Sequence, residues 1–194
     1  VGPKNGRLPL RPEAVARQRA AFGTARLGNF DGPERRPLGE RCLVGFGSTS
    51  GPPMLPVLYN NHYQIQQTGS EVMIQIEMVH DTRIVRIGGK HPPASVRTWM
   101  GDSIGWREGD TLVVETTNFR PDQTFRGATQ DQKVVERFTR ISPQQIFYQF
   151  EVTDPATFTE TVKGEESWNA SKELVYEYAC HEGNYALPGI LAGA

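Results

Sequence analysis

The sequence lacks a long apolar run, a strong net charge and the short motifs that mark several large enzyme classes. No apolar segment approaches the roughly 18 residues that a membrane-spanning helix needs. The formal net charge is −1 at pH 7, so no face is predicted to bind nucleic acid or an anionic membrane. P-loop and H-E-x-x-H motifs are absent, and the Gly-rich stretch 45–51 neither follows a clear strand nor opens a helix. We therefore predict no cofactor, no metal site, no nucleic-acid partner and no membrane span.

Cysteine is also scarce, since the chain has only Cys42 and Cys180. The run YEYACHEGNY (176–185) places Cys180 directly before His181 and Glu182. A nucleophilic cysteine beside its base, a metal ligand and a disulfide are the three alternatives for Cys180. Neighbouring residues on a strand point to opposite faces, which argues against the first. The paired cysteine or histidine spacing of zinc sites is missing, which argues against the second.

Helical periodicity is rare, and from Tyr59 onward the apolar residues alternate with a period of two. Hairpin signals fall at Gly69-Ser70, Gly109-Asp110 and Ser142-Pro143, and the runs FTETVKGEESWN and LVYEYAC complete about eight or nine short strands. This pattern predicts an all-β fold, an antiparallel up-and-down meander that closes into a β-barrel over residues 59–194. Residues 1–58 are rich in Gly and Pro loops, and we predict an extended N-terminal arm with a short helix near 12–22.

Several stretches resemble a large family of secreted or periplasmic bacterial proteins, most of them uncharacterised. The resemblance is carried by RPLGERCLVGFGSTSGPP, YNNHYQIQQT, EMVHDTRIVRIGG, WMGDSIGWREGDTLVVETTNF, VVERFTRI and YEYACHEGNYAL. It implies a lipocalin-like barrel, a secreted or periplasmic location and a disulfide between Cys42 and Cys180 that pins the arm to the last strand. It implies no activity.

The chain departs from this family in two places. Family members begin with a signal peptide and a P-D-L-S-G-x-W segment, whereas this sequence begins at Val1, after that segment. We therefore expect a processed or partial chain whose first barrel strand is missing. Arg107 stands where the family usually has Trp before Glu-Gly-Asp, so one aromatic contact of the family is not expected here.

One group of residues has the side chains needed for acid–base chemistry. His80, Asp81 and Arg83 lie at a corner between two predicted strands, and His181 follows the last one. An imidazole can transfer a proton near neutrality, a carboxylate can orient it, and a guanidinium can hold an oxyanion. These four are the catalytic candidates if they share one barrel end. The alternative is a simple turn in which Asp81 caps the corner and Arg83 pairs locally.

A second group consists of candidate ligand-binding residues in loops and at strand ends. They are His91, Trp99, Asp102, Glu182 and Tyr185. A loop at a barrel mouth can carry such side chains to a ligand. The alternatives are a surface histidine at 91 and a Gly-Asp-Ser corner at 101–103 whose side chains bond to backbone amides.

Three functions follow as hypotheses. The first is an exported lipocalin-like barrel that binds a small, partly apolar or aromatic molecule. The second is a cofactor-independent acid–base enzyme, such as a lyase, hydratase or isomerase, that uses the His80, Asp81, Arg83 and His181 group. The third is a subunit of an extracellular assembly, a homo-oligomer formed through the N-terminal arm or by strand exchange.

Overall fold

The computed structural model describes residues 2–25, 30–45 and 51–193, and it confirms an all-β, lipocalin-like architecture. One curled sheet of eight strands, paired in chain order, forms a half-barrel. The strands are β1 (Tyr63–Gln67), β2 (Glu71–Ile76), β3 (Thr82–Ile87), β4 (Asp102–Glu108), β5 (Thr111–Thr117), β6 (Lys133–Ser142), β7 (Gln145–Thr153) and β8 (Val162–Asn169). The two α-helices are α1 (Pro12–Ala25) and α2 (Ala186–Ala192), and single 3₁₀ turns cover Pro33–Arg35, Met78–His80 and Phe125–Gly127.

All neighbouring strands are antiparallel except β3 and β4. These two run parallel, with Val85 opposite Ser103, and residues 88–101 cross from the end of one to the start of the other. A parallel pair needs such a crossover of about a dozen residues or more, whereas a hairpin suffices for the other steps. Within the described ranges β1 pairs only with β2 and β8 pairs with β7 and the arm, so the barrel is open between β1 and β8.

The barrel interior is a filled core, and strand alternation shows which face lines it. On β2 the buried residues are Val72, Ile74 and Ile76, one on every second position. Met54, from the segment before β1, is fully buried in the same cluster. The face with Gln75 is therefore the outer one, and the inward side chains pack into one apolar core cluster.

The N-terminal arm lies against its own chain. Gly2 pairs with Lys163 of β8, and Leu10 pairs with Phe158 just before β8. The amide of Arg11 donates to the carbonyl of Thr157 at 2.8 Å. The helix α1 begins at Pro12, where its fixed φ suits a first turn. Most of the Gly-rich stretch 45–51 lies outside the described residues.

Cys42 and Cys180 form the predicted disulfide, with their Cα atoms 5.7 Å apart. The bond ties the arm to the segment after β8, but that segment is not a strand. The prediction of a strand at LVYEYAC is wrong: residues 174–179 have no regular structure, and all except Tyr178 are exposed. The amide of Tyr176 donates to the Glu77 carboxylate at 3.5 Å instead of to a neighbouring strand. None of the described helices is long and apolar enough to cross a membrane.

Candidate functional site

Arg83, one of the four catalytic candidates, lies inside the barrel and is hydrogen-bonded to other core side chains there. It is 3% exposed, and its side chain faces inward with Val85. Its guanidinium donates to both carboxylate oxygens of Glu136, to Ser103 Oγ at 3.0 Å and to Thr116 Oγ1 at 2.9 Å. Four of its five N–H donors are thus engaged within the core, which indicates a structural group.

The carboxylate of Glu136 joins this arginine to Tyr148 on the next strand. The Tyr148 hydroxyl donates to Glu136 Oε1 at 2.8 Å and accepts a hydrogen bond from the Met54 amide at 2.8 Å. Glu136 and Tyr148 are both 0% exposed. Burial, followed by the nearby Glu136 charge, raises the pKa of Tyr148 well above its usual value. The Tyr148 hydroxyl therefore keeps its proton near neutral pH and stays a donor to Glu136.

The other three catalytic candidates lie elsewhere. His80 is exposed and has a positive φ of 44°, and His181 is exposed in the turn after Cys180. Asp81 Oδ2 accepts from the Gly45 amide at 2.9 Å. Arg83 pairs with Glu136 in the core, so the local pairing of Arg83 in the turn alternative is wrong. The condition for one shared site is therefore not met, because Arg83 is enclosed in the core while both histidines face solvent.

His91 and Asp102, two of the predicted ligand-binding residues, do lie together on the outer face of the sheet. His91 Nδ1 is 2.6 Å from Asp102 Oδ2, and Arg86 donates twice to the same carboxylate at 2.8 and 2.9 Å. His91 Nε2 is 3.5 Å from Glu115 Oε1. Burial raises the pKa of Asp102, but the hydrogen bonds from Arg86 and His91 outweigh it and hold that pKa below its usual value. The cluster clamps the crossover 88–101 onto β4 and β5.

The remaining predicted ligand-binding residues are dispersed. The Arg120 guanidinium lies 4.0 Å from the centre of the Trp99 ring, beside a cavity of about 360 Å³ at one barrel end. Glu182 and Tyr185 are exposed beyond the disulfide, and Tyr185 directly precedes α2. Trp99, Glu182 and Tyr185 do not form one site with His91.

The largest cavity described lies at the open side of the half-barrel, between β1 and β8, with a volume of about 850 Å³. We call it the β1–β8 groove. Its apolar lining includes Tyr63, Ile65, Ile146, Trp168, Leu174 and Val175. Its polar lining includes His62, Arg140, Glu166 and Glu173. The volume is within the range of roughly 300–1,000 Å³ that is typical of small-molecule sites.

Three stacked aromatic rings lie against this groove. Trp168 of β8 stacks on Tyr63 of β1 with ring centres 4.7 Å apart, and on Tyr148 of β7 at 4.6 Å. The Trp168 indole N–H donates to Glu166 Oε1 at 2.6 Å. The pKa of Tyr63 is raised far above its usual value, first by burial and second by the negative charge of Glu166. Side-chain stacking thus bridges the two edge strands where backbone pairing is missing.

The rim of the groove is unusually apolar for a surface. Ile65 is 40% exposed although it is on the inward face of β1, and Leu174 is 67% exposed. Two of the polar side chains are already engaged: His62 Nδ1 lies 2.9 Å from Glu77 Oε2, and Arg140 donates to the carbonyls of Ser142 and Pro143. The groove therefore offers mainly apolar and aromatic surface to a ligand.

Comparison with known proteins identifies no relative that could assign this groove. No protein-family model, no curated protein and no solved structure matches the chain. The family resemblance described above stays a prediction. The Cys42–Cys180 disulfide fits an extracellular or periplasmic protein, since disulfides persist in oxidising compartments.

Proposed function

We propose that this protein is an exported binding module whose β1–β8 groove holds a small, partly apolar or aromatic molecule. The observation that carries the proposal is the groove of about 850 Å³ beside the stacked rings of Tyr63 and Trp168. The filled barrel interior favours a ligand at the open side rather than in a central cavity. Export is supported by the disulfide that ties the arm to the C-terminal segment.

The chemistry of the lining indicates what such a ligand would look like. Ile65, Ile146 and Leu174 provide apolar contact, and the edges of the stacked rings favour a planar aromatic group. The carboxylates of Glu166 and Glu173 stand around this surface as polar groups that could orient one end of the molecule. A flat ligand with one polar end therefore suits the groove.

The two alternative functions have less support. An acid–base enzyme would need the candidate groups in one pocket, and Arg83 is separated from His80 and His181 by its burial in the core. A homo-oligomer formed through the arm would need the arm to leave its own chain, where Gly2 and Arg11 hydrogen-bond to residues 163 and 157. The oligomer stays a prediction.

The test uses a fluorescent apolar probe, anilinonaphthalene sulfonate, titrated into the native protein. Leu174→Ser removes an exposed apolar side chain from the groove, and Leu58→Ser is the matched control, since Leu58 is 97% exposed and does not line the groove. We expect saturable binding that is roughly threefold to tenfold weaker in Leu174→Ser and unchanged in Leu58→Ser. Absence of saturable binding, or equal weakening by both substitutions, would overturn the proposal.

A further inference from the structure

The opening between β1 and β8 has two edge strands that run in the same direction. Six antiparallel steps and one parallel step separate them, so β8 ends up parallel to β1. The two edges could pair directly only as parallel strands. A single added strand running the opposite way would be antiparallel to both, which is the more stable arrangement on each side.

The hydrogen bonds at both ends of β1 show which of its backbone groups face this opening. The Glu77 amide donates to the His62 carbonyl at 3.0 Å, and the Thr68 amide donates to the Glu71 carbonyl at 2.9 Å. Because hydrogen-bonded pairs alternate along an antiparallel ladder, the even-numbered residues of β1 bond to β2. The N–H and C=O groups of Tyr63, Ile65 and Gln67 therefore point away from β2, into the opening.

The same alternation shows which backbone groups of β8 face the opening. The Ala170 amide donates to the Gln144 carbonyl at 2.8 Å, so the even-numbered residues of β8 face β7 and the odd-numbered ones face the opening. Lys163 confirms this, since it exchanges two hydrogen bonds with Gly2, at 3.0 and 2.9 Å. An antiparallel ladder has thus already begun on β8, and its continuation would use the backbone groups of Glu165 and Ser167.

We propose that the opening binds an extended polypeptide segment of a partner protein as a ninth strand, antiparallel to both β1 and β8. This inference goes beyond the proposed small-molecule function but uses the same groove. β1 favours such pairing because Tyr63–Gln67 contains no charge and no proline, the features that normally protect an exposed edge. Backbone hydrogen bonds to both edges would supply affinity, as in other cases of strand addition.

The side chains around the opening specify the chemistry of the added strand. Inward positions would contact Ile65, Ile146 and Trp168, so they should be apolar. Glu165 is on the outward face of β8, because Trp168 and Val162 at even positions face inward. A lysine or arginine at the outward position beside Glu165 would complement its charge. The partner segment should thus alternate apolar and basic residues over about five positions.

The experiment uses a capped, fluorescently labelled peptide of about seven residues in which lysine and isoleucine alternate. The control peptide has the same composition with its lysines and isoleucines in two separate blocks, so it has the same charge without a strand pattern. We expect the alternating peptide to bind saturably, with fluorescence anisotropy as the signal, and the block peptide to bind at least roughly tenfold more weakly. Equal binding of the two peptides would indicate charge attraction alone and overturn the proposal.

Substitution at Ile65 tests whether the backbone edge is what the peptide pairs with. Ile65→Pro removes an N–H that faces the opening and leaves the hydrogen bonds from β1 to β2 in place. Ile65→Thr is the matched control, because it shortens the side chain but keeps the N–H. We expect Ile65→Pro to weaken peptide binding roughly tenfold relative to Ile65→Thr. Equal affinities in two folded variants would exclude the added strand.

Amide hydrogen exchange gives a readout that does not depend on a substitution. On peptide binding we expect slower exchange at Ile65, Gln67, Glu165 and Ser167, while Gln66, which already bonds to β2, serves as the internal control. Unchanged exchange at the odd-numbered positions overturns the proposal. Protection of these amides without peptide, together with a dimer by light scattering, would show that a second copy fills the opening and also overturns it. Retained binding of anilinonaphthalene sulfonate in either case would leave the small-molecule proposal standing.

Discussion

Replacing Arg83 by methionine would test whether the ion pair inside the barrel holds the core together. The substitution keeps much of the side-chain volume but removes every hydrogen bond that the guanidinium donates. Glu136, which is 0% exposed, would keep only the Tyr148 hydroxyl as a donor, at 2.8 Å. Ser103 and Thr116 would still bond to each other at 2.9 Å. The main consequence is thus an unpaired carboxylate in the core.

The size of the effect follows from that unpaired charge. Breaking a buried ion pair by removing one partner costs about 3–5 kcal/mol, most of it from the charge left behind. For a chain of 194 residues, each kcal/mol lowers the melting temperature by about 2–4 °C. We therefore expect Arg83→Met to lower the melting temperature by roughly 6–20 °C. The double variant Arg83→Met/Glu136→Met removes both charges and should be less destabilised than Arg83→Met alone.

The assay is equilibrium unfolding in urea, followed by circular dichroism, for the native protein, both single variants and the double variant. A double-mutant cycle then gives the coupling free energy between Arg83 and Glu136, which we expect to be at least about 2 kcal/mol. The reasoning is refuted if the two single effects simply add. It is also refuted if Arg83→Met unfolds within about 0.5 kcal/mol of the native protein, the range of an ordinary surface substitution.

Three further predictions concern the rest of the barrel. Gly164→Ala should destabilise the fold by about 1–3 kcal/mol, because its new methyl group would clash with the buried Phe150 ring. Urea unfolding measures this change in stability, and Gly69→Ala is the control because Gly69 has open space around it. Burial raises the pKa values of Tyr63 and Tyr148, so above about pH 10 the unfolded chain loses protons first and stability should fall as pH rises. Unfolding curves at pH 8 and 11 check the sign, and a smaller fall in Tyr148→Phe supports the assignment. Reducing the disulfide should cost about 5 kcal/mol in the chain-entropy model, and an unchanged urea midpoint after reduction would contradict it.

The fold could be predicted from the sequence because strand alternation and hairpin turns are local signals. The pairs of runs around Gly69-Ser70, Gly109-Asp110 and Ser142-Pro143 all became hairpins between neighbouring strands. LVYEYAC has the same alternation, but the prediction of a strand there is wrong, because a strand also needs a neighbouring strand to pair with. The parallel step from β3 to β4 could not be predicted, because it depends on how residues 88–101 pack over the sheet.

The groove was harder to predict than the core network. Glu136 shares an inward face with Val134 and Phe138, and Arg83 shares one with Val85, so strand parity could have identified both as buried charges that need a partner. Tyr63 and Trp168 are about a hundred residues apart in sequence. Each is an ordinary strand aromatic, and only the tertiary arrangement of the edges brings the two rings together.

Strand parity decides how the open side of the barrel could close. Eight strands joined only by hairpins would leave β1 and β8 antiparallel, so the last step could close the ring like every other step. The parallel step at β3 and β4 reverses β8 relative to β1. The contacts of His91 and Arg86 with Asp102 hold the crossover through which this reversal is made.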